Sequence, residues 1–145
     1  MEQTQTYSID GLQFAESDII YFESGIPGFL SHKKFVISHD EDQEPFHWLH
    51  SVDDPRTKFV LINPMMVDGT YDPNMTKLDL EDLQFESKSD MMIYTIVTLN
   101  HQNLMESTAN LNGPILINIR GKKGKQIILD DSRYSVKTPI MQGGA

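Results

Sequence analysis

The sequence predicts an all-β fold, a single small antiparallel β-barrel-like domain of about nine or ten short strands with one short helix. Its 145 residues suit one domain of ordinary size. Short apolar or alternating runs recur along the chain, separated by residues that favour turns. Closing such a sheet removes its exposed edges, which favours a barrel. The domain is predicted to span residues 1–145, with flexible ends at 1–6 and 139–145.

Two strands are predicted at the start of the chain, at 7–14 and 19–22, with a turn at 16–18 between them. The segment Gly25-Ile26-Pro27-Gly28-Phe29 then predicts a type II turn, because proline presets φ at the second position and glycine accepts the positive φ at the third. The chain returns in a strand at 35–37. In this hairpin Ile26 and Phe29 either project from the tip or fold back into the core.

The middle of the chain holds an aromatic strand at 46–49, in which Phe46 and Trp48 share one face. A buried-type strand follows at 58–62, and then an irregular stretch at 65–74. The one helical candidate is 79–83, with Asp79 as its N-cap.

The C-terminal half begins with the longest strand signal, 91–99, whose lack of alternation indicates burial on both faces or a place inside a barrel. Another short strand is predicted at 107–111. The strand 115–120 is predicted to pair with 126–129 across the basic turn 121–125. An edge strand is predicted at 134–137.

Charge divides the chain into unequal parts. The net charge of −9 comes from −3 over residues 1–37, −9 over 38–90 and +3 over 91–145. An acidic middle argues against nucleic-acid binding, since phosphate contacts need clustered Lys and Arg. It suits a basic protein partner, although acids of this kind also serve only to keep a protein soluble. The absence of cysteine, the polar N-terminus and the lack of a long apolar run favour a cytoplasmic protein without a membrane segment.

No stretch carries a clear catalytic or metal-binding pattern. His47 and His50 are three residues apart, which on a strand puts them on opposite faces and prevents a shared metal. The acidic run 40–44 lacks the glycine and spacing of an EF-hand loop. No catalytic residue, cofactor or metal is therefore assigned. For an enzyme on a small barrel, the nearest candidate groups are Asp53, Asp54 and His50.

The lysine-rich turn 121–125 resembles a phosphate-binding loop only superficially, because it lacks the Gly-Lys-Ser/Thr ending and no helix follows it. A basic hairpin turn is the better interpretation. An RNA-binding small barrel that uses Lys122, Lys123 and Lys125 remains an alternative function, which the negative net charge disfavours.

Several motifs in order along residues 7–137 resemble the FliW family of flagellar assembly factors. They are Phe22, Gly25-Ile26-Pro27-Gly28-Phe29, Phe35, Pro45-Phe46, Trp48-Leu49, Ser51, Phe59, Thr95-Ile96-Val97-Thr98, Thr108-Ala109-Asn110-Leu111, Pro114-Ile115, Asn118, Gln126-Ile127-Ile128-Leu129 and Tyr134. Two positions depart from the family pattern: Leu30 stands where an acid is common, and His50 stands where glutamine is common.

The resemblance implies a small, non-enzymatic, cytoplasmic β-barrel protein that binds flagellin. When free of flagellin, such a protein binds the RNA-binding regulator CsrA and relieves the repression of flagellin translation by CsrA. The resemblance also implies capture of the terminal helical segments of flagellin, which needs an apolar patch. A monomer that contacts neither nucleic acid nor membrane is expected.

Electrostatics, rather than any family motif, selects the candidate partner-binding residues, together with exposed apolar side chains beside them. The acidic candidates are Asp40, Glu41, Asp42, Glu44, Asp79, Glu81, Asp82 and Glu86. The residues expected to be structural are Gly25, Pro27, Gly28, Phe29, Phe46 and Trp48.

Overall fold

In the computed structural model, residues 6–9 and 11–140 are described. Within them lie eleven strands and one α-helix, together with short 3₁₀ turns. The strands are β1 (Thr6–Ile9), β2 (Leu12–Ala15), β3 (Ile20–Tyr21), β4 (Lys34–His39), β5 (His47–Ser51), β6 (Lys58–Ile62), β7 (Met91–Thr98), β8 (Thr108–Ala109), β9 (Ile115–Asn118), β10 (Lys123–Gln126) and β11 (Thr138–Pro139). The helix α1 is Lys77–Leu83.

Seven strands close into a barrel in the order β7-β6-β5-β4-β3-β10-β9, and β9 pairs back onto β7. Strand β7 can close the ring because it is long enough to pair with two strands along one edge. Its first half pairs with β9, and its end pairs with β8. All these pairs are antiparallel except β3 and β10, which run parallel. The predicted antiparallel barrel is thus confirmed, with a single parallel joint.

The barrel interior is filled by alternate side chains of its strands. Phe35 on β4, Leu49 on β5 and Leu61 on β6 are fully buried in one cluster. Val36, which points to the other face of β4, belongs instead to a small cluster under the β1–β2 hairpin. This alternation gives the barrel an inner core and leaves its outer face to be covered by the hairpin and by α1.

The helix α1 is held against the outside of the barrel. Thr76 caps its N-terminus by accepting a hydrogen bond from the Asp79 amide at 3.1 Å, so the predicted cap at Asp79 is wrong by three residues. Leu83 is buried in a second hydrophobic cluster, called the outer core, which also includes Val60, Ile62 and Leu116. The Asn118 side chain, at the end of β9, donates to the Leu83 carbonyl at 2.8 Å and fixes the C-terminal end.

The predicted turn after residue 25 is confirmed by its backbone. Gly28 has φ +88° and the Phe29 amide donates to the Ile26 carbonyl at 2.6 Å, as a type II turn requires. Ile26 is 1% exposed and lies in the barrel core, whereas Phe29 is 37% exposed. Ile26 therefore folds back into the core, which was one of the two alternatives for this turn, whereas Phe29 remains at the surface.

Larger differences from the sequence prediction lie at three other places. The first predicted strand is a hairpin, β1 and β2, because the chain reverses around Gly11. The partner of β9 is Lys123–Gln126 rather than 126–129, so Lys123 and Lys125, which were expected in the turn, lie in a strand. No strand covers 134–137, and the edge strand is Thr138–Pro139.

At the chain ends, Thr6 and Pro139 lie in strands, although flexible ends were predicted there. Ile140 is also described, whereas residues 1–5 and 141–145 of the predicted flexible ends lie outside the described residues.

Candidate functional site

The first acidic group forms an exposed loop between β4 and β5. Asp40 accepts a hydrogen bond from the Asp42 amide at 3.0 Å, which starts a single 3₁₀ turn at Glu41–Gln43. Glu44 lies 3.2 Å from the Nε2 atom of His39. All four acids of the loop are exposed. The loop thus presents its carboxylates to solvent.

Trp48 connects this loop to the barrel wall. Its indole nitrogen donates to the Gln43 side chain at 2.7 Å, and the ammonium of Lys58 lies 5.0 Å from its ring centroid. A cavity of about 680 Å³ lies here, bordered by three of the loop acids, Asp40, Glu41 and Asp42, and by Trp48, Lys58 and Leu12. An aromatic face and several carboxylates therefore meet at one place on the surface.

The second acidic group, on and after α1, is largely neutralised by bases. Lys125 on β10 binds Asp79 at 3.0 Å and Asp82 at 2.8 Å, although more than forty residues separate it from them in sequence. Arg120 binds Glu86 at 2.9 Å, and Lys77 lies 4.0 Å from Glu81. These four acids consequently offer a partner less free charge than the loop 40–44 does.

The pairing with Lys125 also appears in the pKa values. Burial alone would raise the pKa of Asp79, but hydrogen bonds from Lys125 and Thr76 and the charge of Lys125 hold it below its ordinary value. The hydrogen bond to Asp82 in turn raises the pKa of Lys125 above its ordinary value. The ion pair therefore stays charged across the neutral range.

Beside α1 lies an apolar groove that the sequence did not reveal. It has a volume of about 860 Å³, and its charged rim carries Lys77, Glu81, Glu86 and Lys88. The apolar residues of the groove are Met75, Leu80, Phe85, Met91 and Ile93. All five pack only partly against the outer core, so the core is open to solvent here.

A hint of the groove was present in the sequence. Leu80 and Leu83 are three residues apart and therefore lie on one face of the helix, and the apolar residues Phe85 and Met91 follow. The pattern indicates a buried helix face, but it does not show which of these residues the fold leaves partly uncovered. That depends on how far α1 stands from β7, a distance that local sequence does not encode.

The residues expected to be structural occupy the hairpin tip and the outer core. A Cβ on Gly25 would lie 2.7 Å from the backbone of Leu30. Phe29 stacks edge-on against Phe59, with ring centroids 5.1 Å apart. Phe46 and Trp48 both pack against the outer core. Pro27 is exposed in the turn.

The groups considered for catalysis have separate structural partners. Asp53 accepts hydrogen bonds from the Lys33 and Lys34 amides at 2.8 and 3.1 Å, whereas Asp54 pairs with Arg56 at 3.1 Å. The Nε2 atom of His50 lies 2.9 Å from the Ser38 hydroxyl. Within residues 6–9 and 11–140, no group of three or more metal-ligating side chains could hold a metal ion.

The lysines considered for RNA binding are divided between two environments. Lys123 donates to the Gln84 side chain at 2.5 Å, and Lys125 is tied to α1. Lys122 lies at the mouth of the barrel. Of the helices in the described part of the chain, none is long and apolar enough to cross a membrane.

Comparisons with known proteins agree on one family. Residues 3–140 match the family model described as "FliW protein". The flagellar assembly factor FliW of Alkaliphilus metalliredigens is 39% identical over 139 residues, which cover 95% of this chain and 85% of that protein. FliW of Clostridium novyi is 37% identical, covering 92% of each chain. A crystal structure of the flagellar assembly factor FliW superposes with a TM-score of 0.87 at 35% identity, covering 97% of this chain and 100% of the other.

Proposed function

Because the chain belongs to the FliW family of flagellar assembly factors, we propose that it binds flagellin and, when free of flagellin, binds and antagonises the translational regulator CsrA. The relief of CsrA repression would then couple flagellin synthesis to flagellin export. In this proposal the protein acts in the cytoplasm as a monomer, by binding alone, and touches neither RNA nor membrane.

The apolar groove beside α1 is the observation that best supports flagellin binding. A helix with its side chains is about 10–12 Å wide, and it binds in such grooves through apolar residues spaced three and four apart. Two methionines, Met75 and Met91, help to form the groove. Methionine side chains adapt to differently shaped apolar partners. We assign the groove to a terminal helical segment of flagellin. Glu81 and Glu86 lie on its rim, whereas Asp79 and Asp82 of the same helix face Lys125 on β10.

The exposed acidic loop supports an interaction with CsrA. An RNA-binding regulator carries basic surface, and complementary charge raises the rate of encounter and disfavours wrong partners. We assign this contact to Asp40, Glu41, Asp42 and Glu44, which lie together and are exposed. Exposed charges of this kind each contribute little, so the group has to be tested together.

The groove is tested by a matched pair of substitutions on one helix. Leu80 lies in the groove, whereas Leu78 is 66% exposed and lies outside it. We expect Leu80→Glu to weaken flagellin binding at least tenfold, because it places a charge against apolar side chains. Leu78→Glu, with the same charge change on the same helix, should bind as the unsubstituted protein does. Calorimetry with purified flagellin measures both, and equal binding by the two variants would remove the groove from the proposal.

The loop is tested by removing four charges while keeping the cap at residue 40. The loop variant combines Asp40→Asn, Glu41→Gln, Asp42→Asn and Glu44→Gln. A control with the same loss of charge at exposed acids elsewhere combines Glu16→Gln, Glu23→Gln, Glu106→Gln and Asp130→Asn. We expect CsrA binding by the loop variant to be about tenfold weaker and less dependent on salt than that by the control. If both variants bind CsrA alike, net charge rather than the loop is responsible.

A further inference from the structure

A third cavity lies at the mouth of the barrel, separate from the groove beside α1 and bordering the cavity of the acidic loop through Leu12. Its volume is about 440 Å³, within the range of small-molecule binding sites. The β1–β2 hairpin covers one side through Leu12, Gln13 and Phe14. The barrel strands supply the rest, which makes this the open end of the barrel interior.

The walls of this cavity are mainly apolar. Five aliphatic side chains from β3, β4, β7, β9 and the residue after β9 line it: Ile20, Ile37, Met92, Ile117 and Ile119. Ile20 and Ile117 are buried in the barrel core, whereas Met92 and Ile119 are 38% and 44% exposed. The barrel core is therefore continuous with an accessible apolar cavity at this end.

Two polar groups in the cavity have no partner within the described part of the chain. Tyr94 is 6% exposed, and its hydroxyl makes no hydrogen bond to any described residue. Lys122 lines the same cavity, and its ammonium has no ion pair or hydrogen bond there either. Gln13 and Asp18 also line the cavity, and Asp18 accepts a hydrogen bond from the Ala15 amide at 2.8 Å. Lys122 is thus the charged group least committed to other contacts.

The Tyr94 side chain is largely buried, but its hydroxyl is not among the buried unpartnered atoms and is therefore reached by solvent. Burial raises the pKa of Tyr94, which keeps the hydroxyl protonated and able to donate. A hydroxyl donor and an ammonium at the edge of an apolar cavity are together suited to an anionic head group with an apolar body.

We propose that the barrel mouth binds a small apolar monocarboxylate, with the ligand chain against the isoleucines and the carboxylate held by the Lys122 ammonium and the Tyr94 hydroxyl. A cationic ligand would meet the ammonium of Lys122, while the carboxylate of Asp18, which also lines the cavity, already accepts a hydrogen bond from the Ala15 amide. This binding requires neither flagellin nor CsrA, and so it does not depend on the function proposed above.

Octanoate is a suitable probe, followed by NMR of isoleucine methyl groups in the full chain. We expect the methyl signals of Ile20, Ile37, Ile117 and Ile119 to shift in a saturable way. Ile93, in the groove beside α1, and the exposed Ile128 should stay unchanged. Octanol should bind at least tenfold more weakly than octanoate, and octyltrimethylammonium should bind more weakly still. Shifts confined to Ile93, or no shifts at all, would overturn the proposal.

Two variants separate the head-group contacts from the apolar wall. Lys122 has φ +55°, a conformation that asparagine also adopts readily, so Lys122→Asn keeps the turn. We expect Lys122→Asn to weaken the binding of octanoate at least tenfold without affecting the binding of octanol. Tyr94→Phe should weaken the binding of octanoate several-fold. Lys137→Asn, at an exposed site elsewhere, should bind octanoate normally. Equal octanoate binding by Lys122→Asn and Lys137→Asn contradicts the proposal. A shift of the cavity methyl signals on addition of CsrA or flagellin, with no shift on addition of octanoate, also contradicts the proposal.

Discussion

Gly124 on β10 lies directly against the ring of Phe22, so that a Cβ at this position would overlap two ring carbons. Phe22 is fully buried in the barrel core, directly after β3. The contact lies beside the single parallel joint of the barrel, where Lys123 of β10 is paired with Tyr21 of β3. Because residue 124 has no side chain, the Phe22 ring of the inner core can pack directly against the backbone of β10.

Gly124→Ala is therefore expected to destabilise the protein. The new methyl group must displace the Phe22 ring or move β10, and overpacking of this kind costs about 1–3 kcal/mol of unfolding free energy. Gly69→Ala is the matched control, because a Cβ there meets nothing within 4 Å. Urea unfolding of both variants measures the difference. Equal stability of the two would mean that β10 can move outward freely.

The same joint shows what the sequence could and could not predict. Strands with a strong local signal, such as Lys58–Ile62, were placed correctly, because their apolar residues are buried wherever the strand lies. The pairing of β3 with β10 joins residues about a hundred positions apart, and no local pattern encodes it. Lys123 and Lys125 were predicted in a turn because lysine and glycine favour turns, but the barrel needed a strand there to close.

The candidate surfaces differ in the same way. The loop 40–44 was selected as a candidate from its own composition, and its acids are exposed, which is the ordinary state of consecutive acids. The acids of α1 were grouped with it, but Lys125 faces two of them only after the chain has folded. The groove was missed because it is a gap between α1 and β7. Local patterns report which residues are apolar but not how closely two elements approach each other.

Lys125 is expected to stabilise the attachment of α1 to the barrel. Its ammonium binds Asp79 and Asp82, and its side chain is only 22% exposed. Lys125→Met keeps much of the side-chain volume but leaves both carboxylates without this base, which should cost about 1–2 kcal/mol. Lys137→Met, at an exposed lysine, should be near neutral. Chemical unfolding at pH 7 compares the two variants.

Acid should reduce the difference in unfolding free energy between the unsubstituted protein and Lys125→Met. The pKa of Asp79 is lowered in the folded state, so its contribution to stability is present above the ordinary value of 3.8 and is lost as the pH falls through the lower folded value. The unsubstituted protein and Lys125→Met should therefore converge in stability below pH 3.8. A difference that stays constant down to pH 2.5 would show that packing, not charge, is what the lysine supplies.

Tyr71 is expected to contribute through a buried hydrogen bond. Its hydroxyl donates to the Leu111 carbonyl at 2.7 Å, so Tyr71→Phe leaves that carbonyl without this donor and should cost about 1–2 kcal/mol. Burial raises the pKa of Tyr71, so this contribution is present below its ordinary value of 10.0 and declines as the pH rises above it. Tyr21→Phe, at a tyrosine that is 40% exposed, is the control. Unfolding measured at pH 7 and pH 11 should show Tyr71→Phe less destabilised at the higher pH.

His47 is expected to make stability fall in mild acid. Burial lowers its pKa, and His39, whose ring stacks on it at 4.7 Å, lowers it further, while Glu44 acts in the opposite direction. Its ring also contacts Tyr94 at 5.1 Å. Since the folded pKa is depressed, the contribution of neutral His47 is present above the ordinary value of 6.5 and is lost as the pH falls through the folded value.

His47→Gln should remove this part of the pH dependence. Unfolding free energies of the variant and the unsubstituted protein are measured from pH 7.5 to pH 5. A constant difference between them reports packing alone, because glutamine does not titrate. A difference that shrinks as the pH falls reports the protonation of His47, and we expect this second result. Parallel curves over the whole range would show that the folded protein accommodates a charged imidazole beside His39 as easily as water does.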